Sequence, residues 1–280
     1  MRLFYWLIFF QTVAFGQSDT LNVLSWNTFL RPAILSDDQM SRVDDVAAFL
    51  DSTAYEVLVL QEVFHRKARK KLINTLKGTY PNYTKRGRNS ILGVSSGVLI
   101  FSKYPIKNVA TLSFKKSKGS DSMAKKGVVK AVLEVEGRAI EIFGTHLQAG
   151  AGMKREEIRI SQIEQLSEFL SESSDTVIQI VAGDFNINEK VSMYDTLVAT
   201  LEVDAPELDS RQKFTANFAD QQLFETSGSP KWIDFIFLRR HDALRMEKAE
   251  IHEPRRQTEA GFSRISDHNP IVVQFVMDSN

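Results

Sequence analysis

Cysteine is absent from the 280 residues, which removes disulfides, thiolate zinc sites, iron–sulfur clusters and cysteine nucleophiles together. Net charge is absent too. The 35 lysines and arginines balance 35 aspartates and glutamates, so no overall basic field gathers nucleic acid by charge alone. That balance still allows a local basic cleft. No apolar run approaches the roughly 20 residues that span a bilayer. Internal repeats and low-complexity linkers are missing as well. With 43% apolar and 25% charged residues, the composition is that of a soluble globular chain and argues against fibre or disorder. The length suits one large domain.

The first residues read MRLFYWLIFFQTVAFGQS. A positive charge at Arg2 precedes an apolar run over 3–10, and Ala14-Phe15-Gly16 then offers small residues two apart. This is the layout of a secretory signal peptide, with cleavage expected after Gly16. Residues 1–16 are therefore expected to be removed, leaving 17–280 as a single domain, secreted or periplasmic. Export without disulfides is compatible with a core of this size.

Short runs rich in Val, Ile and Leu predict buried strands over 21–26, 57–63, 97–102, 128–135, 139–145, 177–184, 233–238 and 270–276. Helical spacing predicts helices over 41–51, 67–76, 156–170 and 191–201. Strands on both sides of helices, with a hairpin around Glu136-Gly137, predict packed sheets covered by helices. Segments 115–126 and 239–266 are charged and weakly periodic, and read as the loosest parts of the chain.

Polar side chains collect where these strands end. Asn27, Gln61-Glu62, Thr145-His146, Asp184-Phe185-Asn186, Asp234 and Ser266-Asp267-His268-Asn269 each follow or close an apolar run. Carboxylates and amides without thiolates suit a hard cation, Mg²⁺ first and Mn²⁺ or Ca²⁺ next. Zinc fits less well, because the five histidines are scattered. A hard cation beside histidines suits phosphoryl transfer. Taken singly, a strand-end Asp-x-Asn is an ordinary turn or cap. Recurrence at six strand ends is what points to a site.

These same pieces resemble the endonuclease/exonuclease/phosphatase superfamily with its DNase I-like fold. The matching segments are Ser25-Trp26-Asn27, Gln61-Glu62-Val63, Gly144-Thr145-His146-Leu147, Gly183-Asp184-Phe185-Asn186, Ile233-Asp234-Phe235-Ile236 and Ser266-Asp267-His268. The resemblance implies an α/β fold: a four-layer α-β-β-α sandwich of two packed mixed β-sheets flanked by helices. His146-Leu147-Gln148-Ala149 and Asp121-Ser122-Met123-Ala124-Lys125-Lys126-Gly127 are similar to motifs of the neutral sphingomyelinase subfamily. That implies a divalent-metal-dependent phosphodiesterase cleaving sphingomyelin, or a related sphingophospholipid, to ceramide and phosphocholine.

By the same resemblance Glu62, Asn27 and Asp267 would serve the metal. Asp184 would stand near the attacking water or metal, and Asn186 would bond a phosphate oxygen. His268 would be general base with Asp234 fixing its tautomer, and His146 would assist the leaving oxygen or polarise the phosphate; the two histidine roles can be exchanged. Lys126 would bring a positive charge to the phosphate, with Asp121 holding it in place or holding it away. His65, His241 and His252 carry no motif and read as surface residues, and Arg155 and Arg159 as the solvated side of their helix. The expected partner is a phospholipid at a membrane surface, bound peripherally by a monomer, with no nucleic acid. The alternatives are an exported nuclease or phosphomonoesterase of the same fold, and a lipid-surface module that has lost catalysis. One departure from the subfamily is notable. Where some members carry an aromatic hairpin, 239–266 holds Phe262 as its sole aromatic.

Overall fold

Most strand segments are apolar on both faces, and a strand buried on both faces needs a cover on each. A computed structural model describes residues 20–35, 38–85, 96–119, 121–174, 176–208, 214–217, 229–239, 242–259 and 261–277. The expected signal peptide, 1–16, and His241 lie outside the described residues. In chain order the elements are β1 (Thr20–Asn27), α1 (Gln39–Asp51), β2 (Val57–Gln61), α2 (Arg66–Leu76), β3 (Asn82–Tyr83), β4 (Leu99–Ser102) and β5 (Ile106–Ser113). There follow α3 (Asp121–Ala124), β6 (Gly127–Val135), β7 (Arg138–His146), α4 (Met153–Leu170), β8 (Ile178–Asp184), α5 (Ser192–Leu201) and β9 (Val203–Asp204). The last are β10 (Asp234–Arg239), β11 (Leu244–Ile251), β12 (Arg255–Thr258), β13 (Gly261–Arg264) and β14 (Ile271–Met277).

One mixed sheet has the order β11-β14-β1-β2-β4-β3 and the other β5-β6-β7-β8-β10-β9. Between them lies a core that includes Leu21, Val23, Val57, Val59, Ile142, Ile180, Ile236, Val273 and Phe275. Alternate residues of the first sheet, among them Leu24, Trp26, Leu58 and Leu60, pack on α1 and α2. Phe143, Val181, Phe235 and Phe237 of the second pack on α4 and α5. The result is the four-layer α-β-β-α sandwich. Gly144 marks a close approach of the two sheets, since a Cβ there would stand 2.8 Å from both Val59 Cγ1 and Val98 Cγ1. Among the described residues, no helix is long and apolar enough to cross a membrane.

Two segments differ from the expectation that they are loose. Within 239–266 the chain forms β11 and the β12–β13 hairpin, and Arg256 Nη1 donates to Ser41 Oγ at 2.9 Å to tie that hairpin to α1. Phe262 on the hairpin is 64% exposed. The 115–126 segment is pinned: Lys115 N donates to Gln165 Oε1 (3.0 Å), Lys118 N to Gln148 Oε1 (2.7 Å) and Gln162 Nε2 to the Lys116 carbonyl (3.1 Å).

The fully buried Arg42 of α1 fastens the end of β1 to the other end of the chain. Its guanidinium donates to the carbonyls of Phe29 (2.5 Å) and Ile265 (2.8 Å), and the Trp26 indole N–H donates to the His268 carbonyl at 2.9 Å. Arg42→Met should leave buried carbonyls unpaired and lower the unfolding free energy by roughly 2–4 kcal/mol. Urea denaturation with an unchanged m-value checks this. A loss under about 0.5 kcal/mol would show that water replaces the guanidinium.

Candidate active site

Strand register builds the site. On the second sheet His146 pairs with Asp184 across β7–β8, and Asp184 pairs with Asp234 across β8–β10, so three polar residues stand in one row. Residues paired across a ladder point to the same face. On the first sheet Asn27 pairs with Gln61 across β1–β2, and Glu62 follows directly. Glu62, Asn186 and Phe29 adopt positive φ (58°, 53° and 53°), a left-handed conformation uncommon outside glycine, at the turns that leave these strands. A Cβ at Gly183 would collide with the Thr145 carbonyl oxygen, so glycine is required just before Asp184.

The strand ends open into a cleft of 710 Å³, whose walls include Asn27, Glu62, His146, Asp184, Asn186, Asp267 and His268. Asp184 is the hub. Its Oδ2 accepts from Asn27 Nδ2 (3.0 Å) and lies 3.3 Å from His146 Nε2 and 3.7 Å from His268 Nε2, and its Oδ1 accepts from the Asn186 backbone N–H at 2.9 Å. His268 Nδ1 lies 2.8 Å from Asp234 Oδ2. Asp234 is fully buried behind the cleft, and its backbone N–H donates to Thr215 Oγ1 at 3.0 Å. Ser266 Oγ donates to the Asn27 carbonyl (2.7 Å) and accepts from the His268 N–H (3.2 Å), joining both ends of the chain.

Lys126 and Asp121 stand behind His146, not on the cleft wall. Lys126 Nζ lies 2.8 Å from His146 Nε2, donates to the Leu147 carbonyl at 2.7 Å and pairs with Asp121 Oδ2 at 3.0 Å. Asp121 Oδ2 also accepts from Ala149 N (2.7 Å) and Gln148 Nε2 (2.8 Å). The Asp-Lys pair thus fixes the His146-Leu147-Gln148-Ala149 turn from beneath. An ammonium can only donate, so His146 Nε2 accepts and the ring proton resides on Nδ1, which has no partner among the described residues.

Burial pushes the Glu62 carboxyl up to about 7, with Asp267 adding repulsion against the pull of Lys126 and His268. Burial and the neighbouring Asp234 raise Asp184 to about 6. Asp267 is raised by burial, opposed by His268, Arg31 and Arg42. For His268, burial disfavours the charged ring, yet Asp234, Asp184 and Asp267 together hold it well above the ordinary histidine range. Burial, then Lys126 and His268, hold His146 well below that range. The two imidazoles are thus shifted in opposite directions.

Two donor sets bear on a cation. Ligand atoms of Asp184, Asp234 and His268 all lie within 4.8 Å of one another, but one Asp234 oxygen already serves His268. Glu62 Oε2 is buried with no hydrogen-bond partner among the described residues. An orphaned, proton-hungry carboxylate beside Asn27, Asp184 and Asp267 fits a hard divalent cation.

Several contributors escape a reading of the sequence. Arg159 is buried, not solvated: Nη1 donates to the Gln148 and Gly150 carbonyls at 3.0 and 2.8 Å. Its recurrence with Gln162 and Gln165 at a spacing of three is the available signal. His65 is buried and caps α2 by accepting from Ala68 N, and His252 is half-buried and bonds the Tyr55 hydroxyl, so neither is a free surface residue.

A family model described as the endonuclease/exonuclease/phosphatase family matches residues 24–268. The chain belongs to that family. A sphingomyelinase C from Bacillus cereus is 30% identical over 223 residues, 66% of this chain and 66% of that protein. A phospholipase C from Staphylococcus aureus is 26% identical over 251 residues, 78% of this chain and 73% of the relative. The chain thus spans about two thirds of the length of the first of these curated relatives. Among solved structures, a sphingomyelinase C from Streptomyces griseocarneus superposes with a TM-score of 0.76 at 22% identity, covering 91% of this chain and 99% of the other. A mutant beta toxin from Staphylococcus aureus with bound magnesium ions gives 0.78 at 23%, covering 92% and 99%. The fold is DNase I-like, and the curated relatives named above are a sphingomyelinase C and a phospholipase C.

A cation held by Glu62 would compete with the proton there, so apparent Mg²⁺ affinity should rise with pH through about 7. A carboxyl raised from 4.5 to about 7 in the folded state also makes the cation-free protein less stable as pH rises through that window. Thermal melts should therefore show a larger Mg²⁺-induced rise in Tm at the upper end than at the lower. Glu62→Gln should shrink that difference and weaken Mg²⁺ by at least about 10²-fold. An equal Mg²⁺ shift at both ends would remove Glu62 from the cation's surroundings.

Proposed function

We propose that this protein is an exported, divalent-cation-dependent phosphodiesterase that hydrolyses sphingomyelin, or a related sphingophospholipid, to ceramide and the phosphorylated headgroup. Residues 1–16 would direct export, and 17–280 would act as a monomer bound peripherally to the lipid surface. One observation carries the reaction class: the imidazoles of His146 and His268 converge on Asp184 beside an orphaned carboxylate. The substrate reading is supported by the His146-Leu147-Gln148-Ala149 motif and by the name sphingomyelinase C carried by relatives in Bacillus, Leptospira and Listeria.

Glu62, Asn27 and Asp267 would hold the cation, Mg²⁺ by the oxygen donor set. Bound there, it would neutralise charge on the phosphate oxygens, and its charge beside Asp267 and Asp184 would lower the proton affinity of His268. His268, oriented through Nδ1 by Asp234, takes a proton from the attacking water. The water oxygen bonds to phosphorus, the bond from phosphorus to the ceramide oxygen breaks, and the leaving oxygen takes a proton from solvent while His268 returns to solvent the one it took. Burial and Lys126 disfavour the charged form of His146, so it lines the cleft as a neutral ring and is not the proton source. Asn186, held by its own N–H to Asp184, presents its amide to a phosphate oxygen.

The decisive assay is phosphocholine release from sphingomyelin in mixed vesicles, with Mg²⁺ titrated against chelator and plasmid cleavage run in parallel. Mg²⁺-dependent phosphocholine without DNA cleavage is expected. DNA cleavage or free phosphate in its place would keep the site but discard the lipid substrate. In the same assay His268→Ala should cost ~10²–10⁴-fold in kcat/KM, and Asp234→Asn should lower kcat more than it raises KM. Full activity in His268→Ala would assign the base elsewhere.

A further inference from the structure

Helix α2 holds a concentration of one charge in a chain that is neutral overall. Arg66, Lys67, Arg69, Lys70, Lys71 and Lys77 lie within and just past it, and no carboxylate falls between 66 and 77. Packing does not require this, because Ala68, Leu72 and Leu76 supply the buried face. Helix electrostatics oppose it. Arg66 and Lys67 occupy the first turn, where the macrodipole is positive and carboxylates are favoured, and the cap there is a histidine ring nitrogen.

Lys71 is matched by Asp44 at 2.6 Å. Arg66, Lys67 and Lys70 are exposed and have no carboxylate partner among the described residues. Arg66, Arg69, Lys70, Ile73 and Asn74 follow the helical i, i+3, i+4, i+7, i+8 stripe and, with Tyr83, line a shallow groove of 330 Å³. None of them lines the catalytic cleft, although α2 begins four residues after Glu62.

We infer that the exposed face of α2 is an electrostatic docking surface for an anionic phospholipid bilayer, its groove receiving a lipid phosphate while Arg66, Lys67 and Lys70 face the surrounding negative surface. A bilayer fits better than a single soluble phosphate, because the unpaired charges extend beyond the groove to Lys67. The inference draws on the proposed function only in placing the protein at lipid surfaces, and its test reads binding, not turnover.

The test is cosedimentation with vesicles free of sphingomyelin and divalent cation, made of phosphatidylcholine alone or with phosphatidylglycerol. Binding is expected to the anionic vesicles and should weaken as salt is raised. The triple variant Arg66→Ala, Lys67→Ala, Lys70→Ala should bind them roughly 10²-fold more weakly, about fivefold for each removed charge. Its turnover of detergent-dispersed sphingomyelin should be unchanged. Arg66→Lys with Lys70→Arg should keep the binding, and the single exposed change Lys67→Ala provides a milder case should the triple variant fold poorly. Equal binding by the triple variant, or equal binding of the parent to neutral vesicles, would overturn the inference. So would competition by millimolar inorganic phosphate, which marks a soluble-phosphate site, or tighter α2-dependent binding to duplex DNA. Vesicle binding without turnover of any lipid would leave the docking surface standing and defeat the proposed function instead.

Discussion

Carboxylates crowded into one cleft repel each other, and burial removes the water that would screen them. Glu62, Asp184 and Asp267 line the same cleft with Asp234 just behind, and the first three are pushed toward their protonated forms. Positive charge must enter to hold them ionised together. His268 supplies one unit, which explains why its imidazolium persists despite burial. The charges of Arg31 and Arg42 also favour the ionised form of Asp267. Glu62 is left with a bare oxygen, and the site is thereby predisposed to bind a cation.

Sheet geometry keeps that repulsion in place. His146, Asp184 and Asp234 are direct cross-strand neighbours, held by the parallel β7–β8 and antiparallel β8–β10 ladders. A slip of one residue in either ladder would turn a site residue away from the cleft and an apolar one into it. The flanking cores prevent such a slip, because Phe143, Val181, Phe235 and Phe237 would lose their packing on α4 and α5 in the same move. Stability of the sandwich and precision of the site are one constraint. Arg42 and Ser266 extend it across the chain, tying the end of β1 to the segment that carries Asp267 and His268.

What could be seen in the sequence was whatever an apolar run announces. The inner strands and the four longer helices stand out because they are buried on a regular period, and the polar residues at strand ends stand out against them. Strand β5 was hidden by its exposure, since none of its residues is fully buried, and β11 by its charges. In β11 every apolar inward position is separated by arginine, glutamate or lysine, and a bulge between Met246 and Lys248 breaks the alternation. The β12–β13 hairpin is polar on both faces and leaves no pattern. Arg42, Arg159 and Gln148 were hidden for another reason. Their hydrogen bonds go to carbonyls and loops distant in sequence, so only the fold gives them a purpose.

Lys126 shows how placement changes chemistry. On the cleft wall an ammonium would neutralise a phosphate directly. One layer back, it acts through His146: its proton occupies the lone pair of Nε2, and its charge disfavours an imidazolium. Asp121 then serves as anchor, holding both the ammonium and the Gln148-Ala149 turn that frames the ring. The two histidines are thereby driven apart by opposite neighbours, carboxylates around His268 and an ammonium behind His146. Two identical side chains facing one carboxylate thus have their proton affinities pushed in opposite directions by their surroundings, which is how a site gives two like groups different duties.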